Sequence, residues 1–245
     1  MHVQRKLTWA TGIIENLLFG GVVFGWANIY PVLVKEGYFS SQCKNLTSAD
    51  QVCDSQFEQL SHVYTTAVVC LMVITVVIGA MFDRFGMWVT RTVIVLGGAV
   101  SSVLIGVSTK ESSNLFFVAF VLFGVFSSCA TVLNSQIGNV FEKLRGSYST
   151  TMSGAHGSGV VLFLFFGYLY EKLEVKFSTL FYFYAGFLLI LNVRTFVLTP
   201  KKKAPFKVPK SYRYGFYELF EKEKVHAETN QDSTASHAVL HLKAV

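Results

Sequence analysis

Apolar residues gather into six long runs along the chain, approximately residues 7–34, 60–82, 92–108, 115–137, 150–170 and 177–198, with short polar segments between them. A run of about 20 apolar residues is what an α-helix needs to cross a hydrocarbon core of about 30 Å, so the pattern predicts six transmembrane helices. Pro31 is the only proline inside the runs, near an outer end where a helix can stop or kink. The first run follows Arg5 and Lys6 and could be taken for a cleaved signal. It is longer than the roughly 7–15 apolar residues of a signal core, and it contains Glu15, Asn16 and Trp26. It reads as a retained, tilted helix.

Composition agrees with this reading. The 245 residues are 52% hydrophobic and 15% charged, with a mean hydropathy of +0.45, whereas soluble domains carry about 25% charged residues. The charges are also placed unevenly. With the N-terminus inside, the inner segments hold Arg5, Lys6, Arg84, Arg91, Lys143, Arg145, Lys201, Lys202, Lys203, Lys207, Lys210 and Arg213, and the outer ones only Lys35, Lys44, Lys110, Lys172 and Lys176. Because basic residues near helix ends stay on the cytoplasmic side, both termini are expected there; the membrane itself is expected to be the plasma membrane. The net charge of +6 then belongs to loops beside anionic lipid headgroups, and nucleic-acid binding is not implied.

The outer loop between the first two runs holds "CKNLTSADQVC". Asn45-Leu46-Thr47 is an N-glycosylation acceptor, usable only outside the cytoplasm. Cys43 and Cys53 are the two cysteines outside the runs, and an oxidising compartment would let them bridge. Cys70 and Cys129 lie within runs and read as packing residues. After residue 200 the chain turns basic and proline-punctuated, then polar without period. Residues 1–200 are therefore expected to form a six-helix membrane unit and 201–245 a basic, largely disordered cytoplasmic tail, with Lys201, Lys202 and Lys203 anchoring it to the membrane surface.

The second run ends in "GAMFDRFG". Gly79, Asp83, Arg84 and Gly86, followed by Arg91, resemble the loop motif of the major facilitator superfamily. There the first glycine lets a helix of the other half approach, and the aspartate meets that helix's positive N-terminal end, locking one state of an alternating-access cycle. Met87 and Trp88 stand where the motif has two basic residues, leaving Arg91 as the substitute. "FGWANIYPVLVKEGYFSSQC", "FDRFGMWVTR", "NSQIGNVFEKLRGSYST", "YLYEK", "RTFVLTP" and "SYRYG" together resemble solute carrier family 43, its nucleobase-transporting branch more than its large neutral amino acid branch. The resemblance implies an all-α membrane protein, six helices forming the N-terminal half of a major facilitator fold. The function implied is facilitated, ion-independent transport of purine nucleobases, or of large neutral amino acids in the alternative. Since superfamily members have twelve helices with substrate between two halves, the chain is expected to be a fragment or truncated form, or to pair with a second half. A form that does not transport but pairs with a full-length transporter and modulates it is the other reading.

Polar residues inside spans are expensive and are functional candidates by default. Glu15, Asn16, Asn134, Gln136 and His156 lie at similar depth on spans that border the superfamily's cavity. They form either a structural network or an inner vestibule or gate. Asn and Gln side chains suit the edge of a purine base, and Phe19, Phe24 and Trp26 could stack on one. Glu15 and His156 are expected to be neighbours, with Arg194 peripheral. Gly21 and Gly25, Gly97 and Ser101, Gly154 and Ser158, and Ala155 and Gly159 have the spacing of small-residue helix contacts. Ser158 lacks the flanking pattern of an intramembrane serine nucleophile, and metal-ligand spacing and phosphate-cradling loops are missing. A non-enzymatic protein without metal or cofactor is the expectation.

Overall fold

The computed structural model describes residues 2–43, 53–202 and 214–215. Asn45 and most of the tail, including Lys203, lie outside the described residues. Every element among the described residues is helical: α1 (His2–Phe19), α2 (Trp26–Lys35), α3 (Asp54–Phe85), α4 (Met87–Val107), α5 (Ser113–Gln136), α6 (Arg145–Gly157), α7 (Val160–Lys172) and α8 (Phe177–Leu198). Five helical stretches are long and apolar enough to cross a membrane, and the pair α1–α2, bent by 42°, makes a sixth. The six spans are thus α1–α2, α3, α4, α5, α6–α7 and α8.

Two spans are broken, which their apolar runs do not foretell. Span one changes direction through a 3-10 turn at Val22–Gly25, entered by Gly21 with φ +62°. Only glycine takes that conformation without strain. A Cβ on Gly21 would also come within 2.5 Å of the His156 carbonyl. Span five breaks opposite, between Gly157 and Val160, and Gly159 lies so close to the Gly20 carbonyl that a side chain would overlap it. Gly21 and Gly25 therefore do not form a regular helical stripe as their spacing suggests. They mark a crossing of two interrupted helices.

Helix α4 packs along α5 and α8, α3 packs along α5, α1 against α6, and α2 against α7. One apolar cluster fills the end away from the N-terminus with Phe116, Phe120, Phe123, Phe163 and Phe181. These rings meet at centroid distances of 5.6–6.4 Å, within the range of favourable aromatic contact. A second cluster at the terminal end contains Phe82, Met87, Phe141, Tyr148, Met152 and Tyr214.

The loops are tied down at both ends. Cys43 and Cys53 form a disulfide with Cα atoms 6.0 Å apart, and Cys53 Sγ accepts the Gln56 N–H at the start of α3. Tyr38 is buried and donates its hydroxyl to the Ser108 carbonyl (3.0 Å). At the other end the Lys201 carbonyl accepts the Met87 N–H at 3.1 Å. Tyr214 is buried against span one, its carbonyl accepting from Gln4 (2.9 Å) and its hydroxyl 3.2 Å from Thr8 Oγ1. Lys201, Lys202, Tyr214 and Gly215 are the described part of the tail.

Candidate functional site: a buried ion network and a helix-break crossing

Thr8, Thr11 and Glu15 recur at three- and four-residue spacing on α1 and so share one face. That face meets two arginines from other spans. Arg91, in the second turn of α4, donates to Glu15 Oε1 at 2.5 Å, to Asn134 Oδ1 at 2.6 Å and to Thr195 Oγ1 at 3.2 Å. Arg194 of α8 donates to Glu15 Oε2, to Asn134 Oδ1 (3.2 Å), to Thr11 Oγ1 (2.8 Å) and to the Thr8 carbonyl (3.1 Å). Asn134 donates in turn to Asn16 Oδ1 (2.8 Å), and Asn16 donates to the Met152 carbonyl (3.1 Å). One connected set of polar groups joins spans one, three, four, five and six.

The electrostatics of the set are unusual. Two guanidiniums face one carboxylate, and Glu15 and Arg91 are each 2% exposed. An ion pair this deeply buried persists only if its hydrogen-bonding groups are satisfied, and each guanidinium nitrogen has an acceptor. The excess positive charge is spread over the Asn134 amide oxygen and the Thr8 carbonyl. The Tyr148 hydroxyl is buried beside Gly12 without a hydrogen-bond partner. A cavity of about 20 Å³ next to Glu15, otherwise walled by residues such as Phe19, Ile94, Phe123 and Tyr184, is of the size that holds a single water.

Three expectations are corrected here. Arg91 does not extend the α3–α4 loop motif, because it points inward and pairs with Glu15. Arg194 is not peripheral but central. Glu15 does not meet His156: successive residues on a helix differ by about 100°, and it is Asn16 that faces span five. Sequence reasoning does not single out Thr8, Thr11 and Thr195. The spacing of Thr8 and Thr11 with Glu15 was a usable signal, whereas nothing local marks Thr195.

The remaining candidates lie elsewhere. His156 is half-buried at the crossing of the two broken spans, its Nδ1 3.0 Å from Thr131 Oγ1. Its ring meets Phe24 edge-on at 5.7 Å, and Phe24 is 46% exposed. Phe19 is buried, and Trp26 stacks on Tyr64. Gln136 is exposed at the end of α5. In the loop motif, Asp83 and Arg84 are exposed and Gly86 is buried. A Cβ on Gly79 would meet nothing within 4 Å, so no packing inside this bundle requires a glycine there. Gly86, with φ +83°, is required locally: a Cβ would sit 2.9 Å from the Lys201 carbonyl.

Comparison with known proteins adds an independent line. The pattern describing the Major Facilitator Superfamily matches residues 16–233. The chain is 31% identical over 224 residues to equilibrative nucleobase transporter 1 of Bos taurus, an alignment covering 86% of this chain and 44% of that protein. It is 30% identical over 207 residues to large neutral amino acids transporter small subunit 3 of Mus musculus, covering 78% and 36%. The chain spans less than half the length of these curated relatives. No solved structure matches it.

Proposed function

The chain belongs to the Major Facilitator Superfamily, and from that premise we propose that it forms one half of a facilitative transporter for purine nucleobases. The observation that carries the reading is the crossing of the two broken spans. Interrupted helices release backbone groups from internal hydrogen bonds, and transporters place such breaks where substrate binds. At this crossing His156 offers a ring nitrogen that donates or accepts, and Phe24 offers an exposed ring. A purine base is flat, uncharged and edged with donors and acceptors, so these groups match it. An amino acid carries a carboxylate and an ammonium that need charged partners, and Glu15, Arg91 and Arg194 are sealed in their own network.

In this reading Glu15, Asn16 and Asn134 hold the bundle together rather than touch substrate, while Gln136 and His156 face the pathway. Gly79, with open space in front of it, faces a helix of a second half, supplied by another chain or a full-length homologue, and Asp83 and Arg84 contact that helix. The basic terminal end is cytoplasmic, at the plasma membrane, and Asn45 carries a glycan on the opposite side. A glycosidase-sensitive mobility shift abolished by Asn45→Gln tests that side assignment.

The decisive experiment is uptake into liposomes of labelled adenine and labelled leucine by the chain, alone and with the second half of a relative added as a separate polypeptide. Saturable adenine uptake that depends on the second half, and that His156→Ala and Phe24→Ala reduce, is expected. Leucine uptake in place of adenine would favour the amino acid alternative. No uptake under any arrangement, with altered surface density of a co-expressed full-length transporter, would favour a modulatory chain.

A further inference from the structure

At the terminal end of the bundle, an open groove of about 340 Å³ lies along α4 and the end of α8, lined by residues including Trp88, Val89, Val93, Phe196, Lys201 and Lys202. The floor is apolar and the rim is basic. The size lies within the range of small-molecule sites, and among the described residues no acidic side chain lines it. The rim is built from fixed parts. The Lys201 carbonyl accepts both the Met87 and Trp88 N–H groups, at 3.1 and 3.4 Å, which seats the lysine pair over the N-terminal end of a 21-residue helix. That end carries the positive pole of the helix dipole. The Trp88 indole is locked by donating to the Thr199 carbonyl (3.0 Å), packs edge-on against Phe196 at 5.3 Å, and lies under Lys201 Nζ at 5.7 Å. Gly86 permits the arrangement, because a side chain there would collide with the Lys201 carbonyl.

We propose that this groove is a binding site for an anionic glycerophospholipid, with one acyl chain along Val89, Val93 and Phe196 and the phosphate-bearing headgroup on Lys201 and Lys202 at the N-terminus of α4. Three properties of the groove select this occupant. Its wall belongs to two membrane-spanning helices, so hydrocarbon reaches it directly. Tryptophan and lysine at a span's end sit at headgroup level, the ring at the interface and the ammonium reaching for phosphate. The charge that the described residues place on the rim is positive, which favours an anionic headgroup over a zwitterionic one. The bound lipid would bridge spans three and six beside the α3–α4 loop, so the membrane's anionic content would bear on that loop directly.

Trp88 provides the test. In a Trp9→Phe/Trp26→Phe chain it is the sole tryptophan, and bromine on a lipid acyl chain quenches it only at close range. Brominated phosphatidylserine in mixed micelles should quench Trp88 at lower mole fraction than brominated phosphatidylcholine. At about fivefold per lysine the preference should reach about 25-fold. Lys201→Ala/Lys202→Ala should remove the preference, and Val93→Phe, which fills the groove, should weaken quenching by both lipids. Native mass spectrometry of the unaltered chain should show the same order of lipid retention, so the inference does not depend on the tryptophan variant folding. Equal quenching by the two lipids, or a preference that survives loss of both lysines, would overturn it. So would competition by soluble glycerophosphoserine or inorganic phosphate as effective as that by the intact lipid, because the lysines would then be holding a free phosphate.

Discussion

Replacing Glu15 by Gln removes the carboxylate shared by two buried guanidiniums while keeping the side chain's shape. In the native protein Glu15 Oε1 lies 2.5 Å from Arg91 and Oε2 accepts from Arg194, with the three side chains between 2% and 6% exposed. Removing one partner of such a pair leaves uncompensated charge in a medium that solvates it poorly, at a cost of about 3–5 kcal/mol. Here two cations are left facing each other, so the upper part of that range applies. For a chain of this size each kcal/mol shifts the melting temperature by about 2–4 °C, and a fall on the order of 10 °C is expected. Cys129 provides the readout, since it is fully buried and reacts with a fluorogenic thiol dye only on unfolding. Cys70, half-buried, is first replaced by Ser. Adding Arg91→Met to Glu15→Gln removes the surplus cation, so the double variant should be more stable than the sum of the single effects by about 0.5–3 kcal/mol. A fall below about 2 °C for Glu15→Gln alone would refute the argument, because the network would then not hold the bundle together.

Asp83→Asn should change melting little, since Asp83 is exposed and exposed ion pairs contribute at most about 1 kcal/mol; the same change in a full-length relative should lower transport while surface expression persists. Gly86→Ala should destabilise by about 1–3 kcal/mol, because φ is +83° and the new Cβ would press on the Lys201 carbonyl, and protease should cut after Lys201 or Lys202 faster than in the unaltered chain. Reducing the Cys43–Cys53 disulfide, or Cys43→Ser/Cys53→Ser, should lower stability by about 2–3 kcal/mol through the freed loop of ten-residue separation. Melting with and without reductant checks this, and no difference would mean that the loop is equally restrained without the bond.

The membrane-spanning character and all-helical class of this protein follow from sequence alone, because both are set by local physics. A run of apolar residues long enough to cross hydrocarbon must satisfy its backbone internally, and no tertiary contact can overrule that. Sequence also marked Glu15, Asn16 and Asn134 as special, since a polar group in a span is costly wherever it points. Which groups they meet was not legible. Arg91 read as a loop charge because it lies one turn from GAMFDRFG, and Arg194 as peripheral because it lies near the inner end of its run. Only the packing of α4 against α8 and α5 turns both inward onto Glu15. The breaks in spans one and five were equally hidden. Gly21 and Gly159 look like ordinary small residues until the two helices cross, and then the absence of their side chains is what lets the backbones touch. Local sequence fixes how much of this chain must be helix and apolar, since those costs are incurred residue by residue. The pairing of charges 76 and 179 residues apart depends on the crossing of whole helices, and only the tertiary structure decides it.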